Sequence, residues 1–191
     1  MRIISGFLKG KRIDFLKSST TRPLRDFVKE SAFNLIKHSN LINISLEDSR
    51  VLDFYSGIGS FGIECISRGA KEITFVENDI MALITLKKNI ENLKIQNKTK
   101  IFEKKVVLFL KQFNQKNKYE IIFLDPPFSE KFYVEELKII KELNIVKKNH
   151  IIIIHREDKT TDDLTGILDI VMIKKYGRSK VIFGKFKLDG V

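Results

Sequence analysis

Three prolines, ten glycines and no internal repeat leave this chain without a low-complexity linker and without the period of a solenoid. One cysteine, Cys65, excludes an internal disulfide, and its place on a predicted helix face suits a small core residue. The three histidines are scattered without metal-ligand spacing, so no metal is expected; His38 and His150 read as surface or element-end residues. No stretch approaches the roughly 18 uncharged apolar residues of a membrane span. Met1-Arg2-Ile3-Ile4-Ser5-Gly6 lacks a continuous apolar run of signal-peptide length, and a cytoplasmic chain with no membrane partner is expected. What is present is 191 residues, 43% of them hydrophobic, enough for a single domain with a proper core.

The net charge of +11 is unevenly placed. Residues 1–29 carry +6 and residues 174–187 another +6, while residues 30–173 are neutral. A neutral body with two basic ends fits a polyanion-binding surface better than general solubility charge. At the N-terminal end, Pro23 suits the first turn of a helix capped near Thr21 or Arg22, which groups Arg22, Arg25 and Lys29 at one end of that helix for phosphate contact. At the C-terminal end, Arg178 lies in the basic tip Tyr176-Gly177-Arg178-Ser179 of a late hairpin.

Two stretches carry chemistry. Residues 121–124 have the length and composition of a strand buried on both faces, and it stops at Asp125-Pro126-Pro127-Phe128 because two prolines cannot continue a ladder. A carboxylate, a carbonyl and a ring are thereby gathered at the carboxyl end of a central strand, the ligand edge of open α/β sheets. Asp-Pro-Pro-Phe is similar to the (Asp/Asn)-Pro-Pro-(Tyr/Phe) motif of methyltransferases acting on exocyclic amines of nucleobases. Such an amine is a poor nucleophile until acceptors hold its hydrogens; Asp125 and the Pro126 carbonyl can accept them while Phe128 stacks on the base. The second stretch is Val51-Leu52-Asp53-Phe54 followed by Gly57, Gly59 and Gly62 and, twenty residues after Gly57, by Glu77. That spacing matches G-x-G-x-x-G, so a dinucleotide site competes. Asp53 argues against it: a carboxylate there repels a pyrophosphate and suits S-adenosylmethionine, whose amino-acid end carries an ammonium and whose sulfur is cationic. Glu77 can accept from ribose hydroxyls in either case.

In order, the chain predicts a small hairpin over residues 1–16, the basic helix, strand–glycine loop–helix, a strand at 73–76, a helix over 79–93, a strand near 100–103 and a helix around 106–113. After Phe128 come a helix over about 130–143, with Phe132, Leu137, Ile140 and Leu143 inward, a fully buried strand at 151–154, and hairpin strands at 167–174 and 180–187. This alternation predicts an α/β fold with a mostly parallel sheet and an antiparallel edge.

Taken together these residues resemble the RsmD family of small-subunit (16S) ribosomal RNA guanine-N2 methyltransferases. The resemblance spans nearly the whole chain, through the N-terminal Met1-Arg2-Ile3-Ile4-Ser5-Gly6 with Gly10-Lys11, Thr21-Arg22-Pro23 with Arg25 and Phe33-Asn34, Asp53 with Gly57 and Gly59, Ser67-Arg68-Gly69-Ala70, Phe75-Val76-Glu77, Asp125 to Phe128, and Tyr176-Gly177. It implies a Rossmann-like class I fold with a seven-stranded sheet and a small N-terminal extension. Residues 1–45 would be that RNA-contacting extension and 46–191 the catalytic domain. It also implies S-adenosylmethionine held by Asp53, Gly57, Gly59 and Glu77, and a guanine held by Asp125, Pro126 and Phe128. The partner it implies is small-subunit ribosomal RNA in an assembled or assembling 30S particle, met by a monomer. The chain departs from the family pattern in two places. Lys104-Lys105-Val106 leaves no named adenine contact, and His155-Arg156-Glu157 stands where an acid is expected, its role open. Alternatives are a DNA adenine or cytosine amino-methyltransferase, disfavoured because 191 residues leave no room for a target-recognition domain, a catalytically silent RNA-binding assembly factor, and an NAD oxidoreductase.

Overall fold

The structure, a computed structural model, describes residues 1–15, 26–114, 118–127, 129–130 and 132–187. These form a seven-stranded sheet of order β3-β2-β1-β4-β5-β7-β6, with strands β1 (Arg50–Phe54), β2 (Glu72–Glu77), β3 (Thr99–Glu103), β4 (Tyr119–Leu124), β5 (Val146–Glu157), β6 (Asp169–Tyr176) and β7 (Ser179–Lys185). The first five run parallel; β7 pairs antiparallel with β5 and β6, as the late hairpin predicts. Helices α1 (Asp26–His38), α2 (Ser60–Ser67), α3 (Ile80–Leu93), α4 (Val106–Lys111) and α5 (Tyr133–Glu142) cover the two faces. Residues 121–124 of β4 and 151–154 of β5 are almost wholly shielded, which accounts for their continuous apolar runs between helical layers. Two apolar clusters result, one on each face of the sheet.

The N-terminal segment belongs to the first of these clusters, through Ile3, Leu8, Ile13, Val28, Ala32, Phe33 and Ile36. The hairpin expected over residues 1–16 is reduced to a single antiparallel bridge, Arg2 with Arg12. The intervening amides have another partner: Ile4 N and Ser5 N donate to the buried Glu64 carboxylate at 2.9 and 3.0 Å, Phe7 N to the Ser67 carbonyl at 2.8 Å, and Leu8 N to Ser67 Oγ at 3.0 Å. The segment thus pairs with α2 as well as with itself, where Ile3 N donates to the Lys11 carbonyl at 3.0 Å, Gly10 N to that of Ile3 at 2.9 Å and Ile13 N to that of Met1 at 3.1 Å. Gly6 makes this approach possible: its φ is +83°, and a Cβ there would stand 1.6 Å from the Ser67 oxygen.

Other expectations need correction. Phe132 precedes α5 and is 67% exposed, and Leu143 follows it partly exposed, because α5 starts and ends inside the predicted 130–143 span. His150 is not a surface residue: it is buried in β5, donating from Nδ1 to the Lys147 carbonyl at 2.8 Å and accepting at Nε2 from Phe186 N at 2.9 Å. Burial lowers its pKa, outweighing the bonds to the Lys147 and Lys148 carbonyls, which raise it. Among the described residues no helix is long and apolar enough to cross a membrane, and no cluster of His, Cys, Asp and Glu could hold a metal ion.

Candidate active site

The chain reverses strand order between β1 and β4, and the carboxyl ends of the strands beside that switch line up. Phe54 pairs with Val76 and with Leu124, and Leu124 with Ile154. The next residues, Glu77, Tyr55, Asp125 and His155, therefore form a row across one edge of the sheet.

On the β1–β2 side of this row the bonds run to backbone. Asp53 is 1% exposed and its Oδ2 accepts from Gly62 N in the first turn of α2 at 3.0 Å. Burial pushes its carboxyl well above the usual range; the Gly62 bond opposes this, and the nearby charges of Asp125 and Glu77 add to it. Glu77 Oε2 accepts from Gly57 N at 2.7 Å, and Oε1 from Asn78 N and Asp79 N at 2.7 and 2.8 Å. A carboxylate has about four lone-pair sites, so one is left for a ligand hydroxyl. The glycine loop has left-handed φ at Gly57 (+54°) and Gly59 (+82°). At Gly59 a Cβ would lie 2.4 Å from Leu86 Cδ1, so this glycine packs the loop onto α3; at Gly57 nothing lies within 4 Å, so the loop is open there. Ser56, which sequence reasoning passed over, has a buried hydroxyl with no hydrogen-bond partner among the described residues.

On the β4–β5 side the bonds run between side chains. Asp125 Oδ1 lies 2.8 Å from His155 Nδ1. Arg156, 1% exposed, donates from Nη1 to the Pro127 carbonyl at 3.0 Å, pairs with Asp162 at 3.2 Å and stacks 4.7 Å from the Tyr133 ring centroid. Burial works to raise the Asp162 pKa, but the Arg156 and Thr160 bonds outweigh it and hold it below the usual range. The Pro127 carbonyl also accepts from Glu130 N at 2.8 Å, whereas that of Pro126 accepts nothing among the described residues. Between the two sides, Tyr55 with φ +55° donates to Glu136 Oε2 at 2.6 Å.

The edge therefore holds Glu77 and Asp125 close enough to Asp53 for their charges to raise its pKa further, a poor setting for a pyrophosphate and a good one for a cation. The open Gly57 and the unpartnered Ser56 hydroxyl provide room and a polar contact beside it. These features fit S-adenosylmethionine and not NAD.

Comparison with known proteins agrees. The family model described as "Conserved hypothetical protein 95", that of RsmD proteins, matches residues 1–185. The chain belongs to the RsmD family. "Ribosomal RNA small subunit methyltransferase D" of Haemophilus influenzae is 34% identical over 82% of this chain and 79% of its own length. Among solved structures, a protein described as a "putative methylase" of H. influenzae superposes with a TM-score of 0.77 at 28% identity, covering 97% of this chain and 98% of that one. A "putative sam-dependent methyltransferase" of Streptococcus mutans shares the fold with a TM-score of 0.62 at 18% identity, over 80% of this chain and 48% of that one. The architecture is thus the S-adenosylmethionine-dependent methyltransferase fold, in a family whose named relatives modify ribosomal RNA.

Of the site residues expected from the sequence, the fold brings Asp53, Gly57, Gly59, Glu77, Asp125 and Pro126 to one edge, and puts Arg178 in an exposed turn at the same end of β7. Phe128, Arg22 and Arg25 lie outside the described residues. Lys29 is a correction: it is 1% exposed, with Nζ 3.3 Å from Ser60 Oγ, 3.5 Å from Asp26 and 3.9 Å from Glu64, and burial lowers its pKa. On a helix packed against α2 this position faces inward, so its ammonium serves the fold and not a phosphate. His155 and Arg156 are the residues whose roles sequence reasoning left open; the only signal was their place directly after a buried strand.

Proposed function

We propose that the protein methylates the exocyclic N2 amine of a guanine in small-subunit ribosomal RNA, with S-adenosylmethionine as methyl donor. The observation that carries the reading is the juxtaposition of Asp125 and a Pro126 carbonyl that accepts nothing among the described residues with the Asp53–Glu77 glycine loop across the β1/β4 switch. When bound, S-adenosylmethionine supplies the methyl group as an electrophilic sulfonium; Asp53, Ser56, Gly57, Gly59 and Glu77 would hold it. Asp125 and the Pro126 carbonyl accept the two amine hydrogens, which turns the nitrogen lone pair out of conjugation. Phe128 stacks on the base. His155 fixes the Asp125 carboxylate, and Asp125 is the acceptor for the proton the amine releases. Arg156 holds the Pro127 carbonyl and with it the course of the loop. The basic ends, Arg22, Arg25 and Arg178 among them, contact RNA phosphates in an assembled or assembling subunit.

Nucleoside mass spectrometry of ribosomal RNA from cells with and without the gene tests this. N2-methylguanosine at one small-subunit position should vanish with the gene and return with the wild-type chain but not with Asp125→Ala. Loss of a methylated adenine or cytosine from DNA would replace this reading with the amino-methyltransferase of DNA. Unchanged modification together with defective subunit assembly would favour the silent assembly factor.

A further inference from the structure

The start of α1 and the tip of the last hairpin meet near the catalytic edge, and an aromatic pair joins them. Tyr176 closes β6 just before the turn at Gly177 (φ +61°) and Arg178. Its hydroxyl shares a 2.6 Å hydrogen bond with Ser31 Oγ on α1, and its ring meets that of Phe27, one turn earlier on α1, edge to face at 5.8 Å and 83°. Phe27 is 70% exposed. The pairing places this contact near the chemistry: His155, bonded to Asp125, pairs with Val181, and Glu157 pairs with Ser179. Asp158 N donates to the Arg178 carbonyl at 2.9 Å. From His155 to Asp158 is three residues of extended chain, about 10 Å.

We infer that Phe27, backed by Tyr176, is a stacking platform for an unpaired RNA base flanking the target nucleotide, with Arg178 and Lys174 beside it for the phosphate chain. The inference rests on the RNA reading above and adds a site to it. A phenyl ring left open to solvent at the rim of a catalytic edge has unsatisfied apolar surface, and every base has a face that can cover it whatever the sequence. The charges around it are mixed: Lys174 and Arg178 are exposed, Lys175 is paired with Asp158 at 3.0 Å, and Asp26 is paired with the buried Lys29. The ring rather than the charge is therefore the main contact, with phosphates added by Arg178 in the turn and Lys174 on β6. Tyr176 fixes the position of this ring through two contacts from a different part of the chain.

The test uses the full chain and a short fluorescein-labelled oligoadenylate, with affinity read by anisotropy over a salt series. Phe27→Ala should weaken binding by about ten-fold, within the range for loss of one stacked base. Phe27→Trp should restore binding and Phe27→Leu should not, because the leucine keeps apolar area without a π face. The dependence on salt should stay as in wild type for all three, whereas Arg178→Ala should lower its slope by about 0.7. S-adenosylmethionine affinity, read by calorimetry, should be unchanged throughout, which shows that each variant is folded. Equal affinity of wild type and Phe27→Ala overturns the platform while leaving the methylation reading intact; so does full rescue by leucine. If instead no guanine is methylated but the Phe27 series behaves as stated, the platform stands and the methylation reading fails.

Discussion

On the β1–β2 side of the catalytic edge, Asp53 and Glu77 are held by backbone amides 9 and 20 residues away at most. On the β4–β5 side, Asp125 and the Pro127 carbonyl are held by side chains 30 and 29 residues further on, from the neighbouring strand. Backbone donors come with the turn of the chain, whatever side chains surround it. Side-chain donors exist only while one particular residue is present, so the β4–β5 side should be the easier of the two to dismantle by single substitutions.

The largest effect is expected at Arg156. Arg156→Ala leaves the partly buried Asp162 without its counter-charge, with Thr160 still donating to it, takes one of two donors from the Pro127 carbonyl and empties a fully buried side-chain site, which should cost about 3 kcal/mol in urea unfolding. A loss under 1 kcal/mol would mean that the loop holds itself and that the contrast between the sides is false. Next comes the glycine loop, where the comparison is internal. Gly59→Ala meets Leu86 in a left-handed conformation and should cost about 2–4 kcal/mol, against about 1–2 kcal/mol for Gly57→Ala, which meets open space. Equal costs in thermal unfolding would show that only the backbone angle matters. A third effect is kinetic: His155→Ala should lower kcat/KM for RNA by about ten-fold, the scale of one hydrogen bond, and leave cofactor affinity unchanged. A parallel loss of cofactor affinity would show that the two sides are not independent.

The smallest expected effect sharpens the comparison from the other side. Because burial raises the Asp53 pKa, the folded state binds this proton more tightly than the unfolded chain. The resulting stability is fully present below the ordinary carboxylate pKa near 4 and is lost as pH rises through the raised folded value. Asp53→Asn keeps an acceptor for Gly62 N and removes the charge. It should therefore be slightly more stable than wild type at neutral pH, with a flatter dependence of unfolding free energy on pH, while binding S-adenosylmethionine more weakly. A variant less stable at neutral pH would show that the charge is compensated inside the fold.

The same contrast explains what could be read in advance. Periodicity placed α3 from its Asp79 cap onward and marked residues 121–124 and 151–154 as doubly buried strands, because those features follow from local burial alone. The Asp53–glycine loop–Glu77 unit was legible for the same reason: its partners lie within one strand–loop–helix–strand span. Lys29 was misread because charge suggests solvent, and only the packing of α1 on α2 turns its ammonium toward Ser60 and Glu64. His150 was misread because nothing near it in sequence announces Phe186 as its partner.

By itself the sequence determined the order of strands and helices, the acid–glycine–acid spacing of the loop, and a strand that must end at Asp125, since two prolines cannot donate to a ladder. Which residues stand beside that aspartate was decided only when β5 paired with β4, bringing His155 level with Asp125 and Arg156 within reach of Pro127. In the same way, α1 and the β6–β7 turn became neighbours only when the last hairpin folded back along β5 and Tyr176 met Ser31. Those contacts depend on strand register across long stretches of chain, which short-range pattern does not encode.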